Sequence, residues 1–141
     1  MFSLPICKNL NIINSKSNFQ SAIYSTGNLK ITNSKFLNNT VYIPYNNKAP
    51  YDDDDTGPAS GAIYSTNNLQ IINTTFDDNY AIRQLYEWEH EFDFYDVIYG
   101  GALYSTGNLS ITRTKINNDI VSKSKLYIEN SEFTTSTIST S

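Results

Sequence analysis

Three nearly identical segments recur along this chain, and their first residues lie 40 positions apart. They read SAIYSTGNLKIT from Ser21, GAIYSTNNLQII from Gly61 and GALYSTGNLSIT from Gly101. Two weaker copies flank them, LNIINSKS from Leu10 and LYIENSEF from Leu126. A repeat of this size indicates structural units that bury their apolar faces only by stacking on one another.

Aligning the five copies on their Leu produces columns with the period of a β-strand. An apolar residue at every second position predicts a strand with one buried face, and the Asn-Ser or Asn-Thr pair that follows predicts a turn. The apolar columns are Leu10, Leu29, Leu69, Leu109 and Leu126, then Ile12, Ile31, Ile71, Ile111 and Ile128. The later columns are Asn14, Asn33, Asn73, Arg113 and Asn130, then Ser15, Ser34, Thr74, Thr114 and Ser131, then Ser17, Phe36, Phe76, Ile116 and Phe133. The Leu is preceded by Asn9, Asn28, Asn68 and Asn108.

The Leu column has spacings of 19, 40, 40 and 17 residues. We interpret the short spacings as one turn of a parallel β-helix, and each long spacing as one turn plus an inserted segment. The insertions are expected at about 41–60 and 80–99. In such a stack, apolar columns form the core and Asn columns form hydrogen-bonded ladders.

Acidic charge is concentrated in the insertions. The first carries Asp52, Asp53, Asp54 and Asp55 against Lys48, a net charge of −3, and the second carries −4. Since the whole chain carries −4, the repeated frame is basic, at +3.

Composition excludes several classes of protein. At 141 residues the chain has room for one domain, and its single Cys and single His exclude an intramolecular disulfide framework and a multi-His metal site. No apolar run reaches the roughly 18 residues of a membrane span. With a pI near 4.8, we expect no nucleic-acid binding. We also expect no cofactor.

Three short segments of the chain resemble a known repeat. They are Gly100-Gly101-Ala102-Leu103, Phe36-Leu37-Asn38-Asn39 and Phe76-Asp77-Asp78-Asn79. They are similar to the GGAI and FxxN repeats of chlamydial polymorphic outer membrane proteins and of adhesin-like surface proteins. The resemblance implies a right-handed parallel β-helix that is extracellular or at the cell surface and serves in adhesion. The chain departs from the pattern at Ser21, which replaces Gly, and at Ile116 and Asp119, which replace Phe and Asn. We recognise no signal peptide in residues 1–10.

Two candidate sites lie in the insertions. Asp52, Asp53, Asp54 and Asp55 offer carboxylates to a hard cation such as Ca²⁺, although a solvated loop explains them better. In LYEWEHEFDFYD, which spans residues 85–96, acids and aromatic rings nearly alternate, so as one strand it would present rings on one face. These rings are either a binding platform or, as we favour, an extra hairpin or strand beside the helix. The candidate binding residues are Tyr86, Trp88, Phe92, Phe94 and Tyr95.

We therefore expect an all-β protein, a right-handed single-stranded parallel β-helix solenoid of about four short coils with two inserted loops. Residues 1–136 form one domain and 137–141 a polar tail. The expected function is a non-enzymatic, adhesin-like module that binds a cell-surface protein or glycan through its acidic, aromatic loops. The alternative is a remnant of a carbohydrate-active β-helix, a polysaccharide lyase or glycoside hydrolase. Glu89, His90 and Glu91 could be imagined as its acid and base, but adjacent acids in an insertion are no evidence of the carboxyl separation of about 5–10 Å that a glycosidase needs. Uncapped coil ends predict self-association.

Overall fold

The computed structural model describes residues 5–17, 21–43, 60–86, 93–97, 101–134 and 137–140. For residues 17, 43, 83–86 and 93–97 it describes the backbone alone. Throughout this part of the chain the regular elements are β-strands, with no helix. The expected all-β class is confirmed.

Within the described ranges, nineteen strands form four sheets, which the chain enters in a fixed order. Sheet A contains β1 (Ile6–Lys8), β5 (Leu29–Thr32), β9 (Leu69–Ile72), β14 (Leu109–Thr112) and β17 (Leu126–Glu129). Sheet B contains β2 (Asn11–Ile13), β6 (Lys35–Leu37), β10 (Thr75–Asp77), β15 (Lys115–Asn117) and β18 (Glu132–Phe133). Sheet C contains β3 (Lys16–Ser17), β7 (Thr40–Ile43), β11 (Tyr80–Tyr86) and β12 (Asp93–Val97). Sheet D contains β4 (Ile23–Ser25), β8 (Ile63–Ser65), β13 (Leu103–Ser105), β16 (Ile120–Ser122) and β19 (Ile138–Thr140).

We call one circuit through the sheets a pass. Sheets A, B and D each contain five strands, one from each of five passes. Neighbouring strands, which come from successive passes, are parallel. Only β12 pairs antiparallel, with β11, among the strand pairs of the described residues. Each strand is two to seven residues long, so the sheets gain their size by stacking passes and not by lengthening strands.

The repeat sets the register of the second to fifth passes, as expected. Leu29, Leu69, Leu109 and Leu126 are successive partners in sheet A. In sheet B, Phe36 pairs with Phe76, and their rings stack with centroids 4.9 Å apart. Identical residues therefore lie one above another at the spacing of parallel strands.

The first pass differs from the alignment predicted from sequence. Cys7, and not Ile12, is the partner of Ile31, while Ile12 pairs with Phe36. The offset between the first two passes is thus 24 residues, not 19. The turn residues explain this register, because Asn9 and Asn14 have the same five-residue spacing as Asn33 and Asn38, and all four have positive φ. The predicted stacking of Leu10, Ile12, Asn14, Ser15 and Ser17 in the Leu29 to Phe36 columns is wrong.

The predicted core is confirmed in the middle passes. Ile31, Phe36, Ile71, Phe76 and Ile111 are 0% exposed. Leu29, Leu69 and Leu109 are also buried, while Phe133 in the last pass is only partly buried against the same cluster. Burial of these apolar columns is the main favourable contribution to folding that the sequence offers.

Polar ladders hold the corners between sheets. At the corner between A and B, Thr74 Oγ1 accepts a hydrogen bond from Ser34 N and donates one to the Ile72 carbonyl, and Thr114 repeats the pattern one pass below. On the exposed side of that corner, Asn73 Nδ2 donates to Asn33 Oδ1 at 2.8 Å. The predicted Ser/Thr ladder is thereby confirmed from the second to the fifth pass, and the predicted Asn ladder is confirmed between Asn33 and Asn73.

A buried Asn ladder turns the chain from sheet B to sheet C. Asn39 Nδ2 donates to Asn79 Oδ1 at 2.8 Å, and Asn79 N donates to Asn118 Oδ1 at 2.9 Å. Asn79 Nδ2 also donates to the Phe36 carbonyl. Asn118, and not Asp119 as the FxxN alignment suggested, therefore occupies the buried position, because the turn after β15 is one residue shorter.

Two boundaries differ from those predicted. The segments 41–43 and 80–83 belong to the parallel ladder of sheet C, where Val41 pairs with Ala81, so the insertions begin later than expected. The expected polar tail also contributes a strand, because Ile138 pairs with Ile120 and places β19 at the edge of sheet D.

The glycine of the GGAI-like text is required by close backbone contact. A Cβ at Gly61 would lie 2.4 Å from Tyr80 N and 2.6 Å from the Gly101 carbonyl oxygen. These neighbours are backbone atoms and cannot rotate away. By contrast, a Cβ at Gly27 would meet nothing within 4 Å.

We predict that Gly61→Ala lowers the free energy of unfolding by at least about 1–3 kcal/mol, since overpacking forces the backbone to shift. Gly27→Ala is the matched control and should change stability by less than about 1 kcal/mol. Urea denaturation followed by circular dichroism measures both. Equal effects of the two substitutions would contradict the close packing of Gly61.

We predict that Ile71→Ala, in the middle pass, costs roughly 2–5 kcal/mol, as expected for truncation of a fully buried side chain. Its neighbour Gln70 is only partly buried, and Gln70→Ala should cost much less. The same denaturation series measures both values. A cost near zero for Ile71→Ala would remove this residue from the core.

Candidate functional site

The largest differences in length between passes lie at one corner of the frame. From sheet A to B the core positions are always five residues apart, as in Ile31 to Phe36, and from D to A always six, as in Ile63 to Leu69. Between sheets C and D the distance is six residues from Ser17 to Ile23 but 22 from Val41 to Ile63. Both insertions therefore lie at the corner between C and D.

The two insertions leave and rejoin the frame at adjacent positions. Ile43 and Arg83 are register partners at the point where the segments depart. At the return, Gly61 N donates a hydrogen bond to the Gly101 carbonyl at 2.9 Å. The insertions therefore emerge from the same side of the frame.

The candidate cation residues Asp52, Asp53, Asp54 and Asp55 lie outside the described residues. So do Trp88 and Phe92 of the aromatic candidates. Among the described residues, no three His, Cys, Asp or Glu side chains converge as metal ligands would. Cys7 is a free, half-buried thiol.

The remaining aromatic candidates lie in a hairpin. Tyr86 is the register partner of Asp93, Phe94 that of Leu85, and Tyr95 that of Gln84. Tyr86 and Phe94 therefore lie on two strands that run in opposite directions and do not share one strand, as the alternating pattern had suggested. The favoured interpretation, an extra hairpin beside the frame, matches the observed backbone.

This hairpin takes the place of a missing frame strand. In the fourth pass the chain runs from β15 directly to β16 and contributes no strand to sheet C. The edge of β11 that this strand would have paired is occupied by β12 over the pairs from Ile82 to Tyr86. The second insertion thus returns to complete the sheet from which it departs.

A polar cleft remains where β12 does not reach. It has a volume of about 190 Å³ and is lined by Asp78, Asn79, Tyr80, Gly101, Asn117, Asn118 and Asp119. Its carboxylates already accept hydrogen bonds, Asp78 Oδ1 from the Tyr80 hydroxyl at 3.2 Å and Asp119 Oδ1 from Thr137 N at 2.7 Å. Burial, followed by the hydrogen bond to Asp78, raises the pKa of Tyr80. The cleft is acidic, and both of these carboxylates are hydrogen-bonded to groups of the protein itself.

Sequence reasoning missed a stack of tyrosines on sheet D. Tyr24, Tyr64 and Tyr104 occupy one column, on the face opposite the buried Ile63 and Ser65. Ring centroids lie 5.2 Å apart for Tyr24 and Tyr64, and 5.3 Å apart for Tyr64 and Tyr104. The sequence could have predicted this stack, because the Tyr-Ser-Thr motif recurs at the same 40-residue spacing as the core columns.

The stack gives sheet D an aromatic outer surface that is exposed at one end. Tyr24 is 49% exposed, whereas Tyr64 is 6% exposed. Burial raises the pKa of Tyr64 and of Tyr104, and for Tyr64 the neighbouring tyrosines raise it further. Because the rings stack face to face, the faces of the middle ring are covered by its two neighbours.

Comparison with known proteins found no match to the chain among family models, curated proteins or solved structures. The assignment of roles therefore depends on the geometry. Over the described part of the chain, no helix has the length and apolar character needed to cross a membrane.

The tyrosine stack predicts a loss of stability at alkaline pH. Because the folded-state pKa values of Tyr64 and Tyr104 lie above 10.0, the unfolded chain loses these protons first as the pH rises. Their contribution is complete below about pH 10 and is lost as the pH rises through the folded-state values. The free energy of unfolding should therefore fall less steeply above pH 10 in the Tyr64→Phe/Tyr104→Phe variant than in the parent. Identical slopes would contradict the shifted pKa values.

Proposed function

We propose that the chain is a right-handed parallel β-helix that acts as a non-enzymatic recognition module in the extracellular space or at a cell surface. The frame would hold the two inserted segments, and these segments would bind a basic protein surface. The adjacency of the insertions is the observation that carries this proposal.

The parallel sheets support the β-helix and its handedness. The chain returns to each sheet in the same order, and connections between parallel strands of one sheet are right-handed in about 98% of cases. The GGAI-like and FxxN-like motifs support the assignment to adhesin-like proteins. In this sequence the two motifs coincide with contacts in the frame, Gly61 against the Tyr80 backbone and Asn79 in the buried ladder.

The position of the insertions supports a joint binding surface. Ile43 and Arg83 are adjacent, so the two segments begin one strand apart. Rigid frames commonly carry their binding residues on such inserted loops, because loop changes leave the core intact. The five-residue and six-residue steps elsewhere in each pass show the same separation between a constant frame and a variable corner.

The composition of the insertions supports a basic protein partner. The first carries a net charge of −3 and the second −4, while the second also contains Trp88 and Phe92. A few residues supply most of the binding energy at protein interfaces, and Trp is enriched among them. Complementary charge speeds association and contributes to specificity.

The carbohydrate-active alternative has less support from the described carboxylates. Asp78 and Asp119 line the same cleft, but each accepts a hydrogen bond from the protein itself. A glycosidase needs two carboxyl groups about 5–10 Å apart that face the substrate.

We predict that deleting residues 44–59 preserves the fold and weakens binding. The deletion reduces the step from Val41 to Ile63 from 22 residues to six, the length found in the first pass between Ser17 and Ile23. Circular dichroism should therefore be unchanged. Binding to an immobilised lysine-rich peptide, measured by surface plasmon resonance, should weaken at least about tenfold. A Trp88→Ala/Phe92→Ala variant should show a similar loss.

Matched controls are Tyr127→Ala, an exposed aromatic residue on the frame, and Glu132→Gln, an exposed frame acid. Both should bind the peptide like the parent. Undiminished binding by the deletion variant would overturn the proposed loop surface. Retention of neutral oligosaccharides instead of the peptide would indicate a glycan ligand, and cleavage of a polysaccharide would indicate the enzymatic alternative.

A further inference from the structure

We propose that copies of this chain assemble head to tail, with the first pass of one copy stacking beneath the fifth pass of another. The ladders of sheets A, B and D would then continue across the junction. This inference depends on the register of the frame and is independent of any ligand of the inserted segments.

Both ends of the frame expose the columns that are buried in its middle. Ile128 and Ile138 in the fifth pass are 38% and 43% exposed, whereas Ile111 and Ile120 directly above them are 0% exposed. In the first pass, Cys7, Ile12 and Ile23 are only partly buried. Each end therefore presents apolar positions from the same columns.

Both ends also present strand edges. Among the strands of the described residues, β1, β2 and β4 have a neighbour on one side only, and the same holds for β17, β18 and β19. An edge strand carries backbone N–H and C=O groups able to pair with a strand of another chain. Pairing at these edges would bury the exposed apolar positions and satisfy the backbone groups in one step.

The register predicts which residues meet. Cys7 and Ile128 belong to one column, because successive partners link them through Ile31, Ile71 and Ile111. By the same reasoning, the core contacts across the junction are Cys7 with Ile128, Ile12 with Phe133 and Ile23 with Ile138. The turns also match, since Asn9 and Asn130 both have positive φ, at 56° and 48°.

The charges of the two ends are complementary. Residues 5–17 carry Lys8 and Lys16 without an acid, and residues 126–134 carry Glu129 and Glu132 without a base. Lys8 and Glu129 share one column, so the junction places them side by side. Head-to-head contact would instead bring the lysines together, and tail-to-tail contact would bring the glutamates together. Charge therefore favours the head-to-tail arrangement.

A head-to-tail contact leaves a free head and a free tail after every addition. Unless the rotation between copies closes a ring, such an interface generates an open filament. The expected product is a series of increasing mass and not a single dimer.

The experiment uses charge reversal at the two ends of the full chain. The parent should show a mass that rises with concentration in sedimentation velocity, and filaments by electron microscopy. Lys8→Glu and Glu129→Lys should each raise the concentration needed for assembly at least about tenfold, because each places like charges at every junction. An equimolar mixture of the two variants should assemble again, because each head then meets a tail of opposite charge.

The control is Lys35→Glu, an exposed lysine on the second pass, which the first pass separates from the proposed junction. It should assemble like the parent, and circular dichroism should show the same β-structure in all variants. A folded parent that stays monomeric at every concentration would overturn the proposal. So would a discrete dimer, or a mixture of the two variants that fails to assemble.

A second measurement tests the register itself. Since Cys7 is the only cysteine, Ile128→Cys introduces a partner at a position that the junction places about 4.8 Å away along the column. This Cα separation lies within the range of roughly 4.4–6.8 Å that a disulfide spans. Mild oxidation should give a covalent ladder of chains, while Tyr127→Cys, which lies one position off the column, should not. Disulfides between two Cys7 residues would indicate head-to-head contact and contradict the proposal.

Discussion

In-register parallel pairing is the constraint on which the rest of this structure depends. Each strand is too short to bury its own apolar side chains, so Ile71 is covered only because Ile31 and Ile111 lie above and below it. A shift of one residue would move every such side chain to the outer face. The Phe36–Phe76 stack, the Thr74 ladder and the Tyr64 stack all follow from this single register.

The turns keep the register because their polar groups are satisfied between passes and not within them. Asn79 accepts from Asn39 above it and donates from its own backbone to Asn118 below it. Buried amides are costly unless they are bonded, so a slipped pass would leave several of these groups without partners. Thr32 Oγ1 is the exception among the described side chains, a buried oxygen without a partner. Its column neighbour Ile72 offers no polar side-chain group.

The core of the middle passes could be predicted from sequence because Leu69, Ile71 and Phe76 recur at a constant spacing. The register of the first pass could not be predicted in this way. Its segment LNIIN, residues 10–14, resembles LKITN, residues 29–33, although the first lies in sheet B and the second in sheet A. The better guide was the pair of turn residues Asn9 and Asn14, which have the spacing of Asn33 and Asn38. For the candidate site, sequence located the insertions approximately and favoured an extra hairpin or strand in the second one, but it did not locate the point of reversal, since a period of two does not reveal where a strand reverses. The tyrosine stack was missed because its outward position was not considered as a column.

The corner between sheets C and D tolerates insertion for a physical reason. The A–B, B–C and D–A corners carry side-chain ladders, represented by Thr74, Asn79 and Asn68. The A–B and D–A steps have a constant length, and the B–C ladder tolerates a change of one residue, at Asn118. At the C–D corner the described residues on either side are joined by backbone contacts such as Gly61 to Gly101, which require adjacency of the ends but not a fixed length between them. The chain can therefore add residues there, or omit the sheet C strand altogether as in the fourth pass, without disturbing the columns. Sequence changes that alter recognition are accordingly least costly at this corner, whereas changes at the other three corners alter the register on which the core depends.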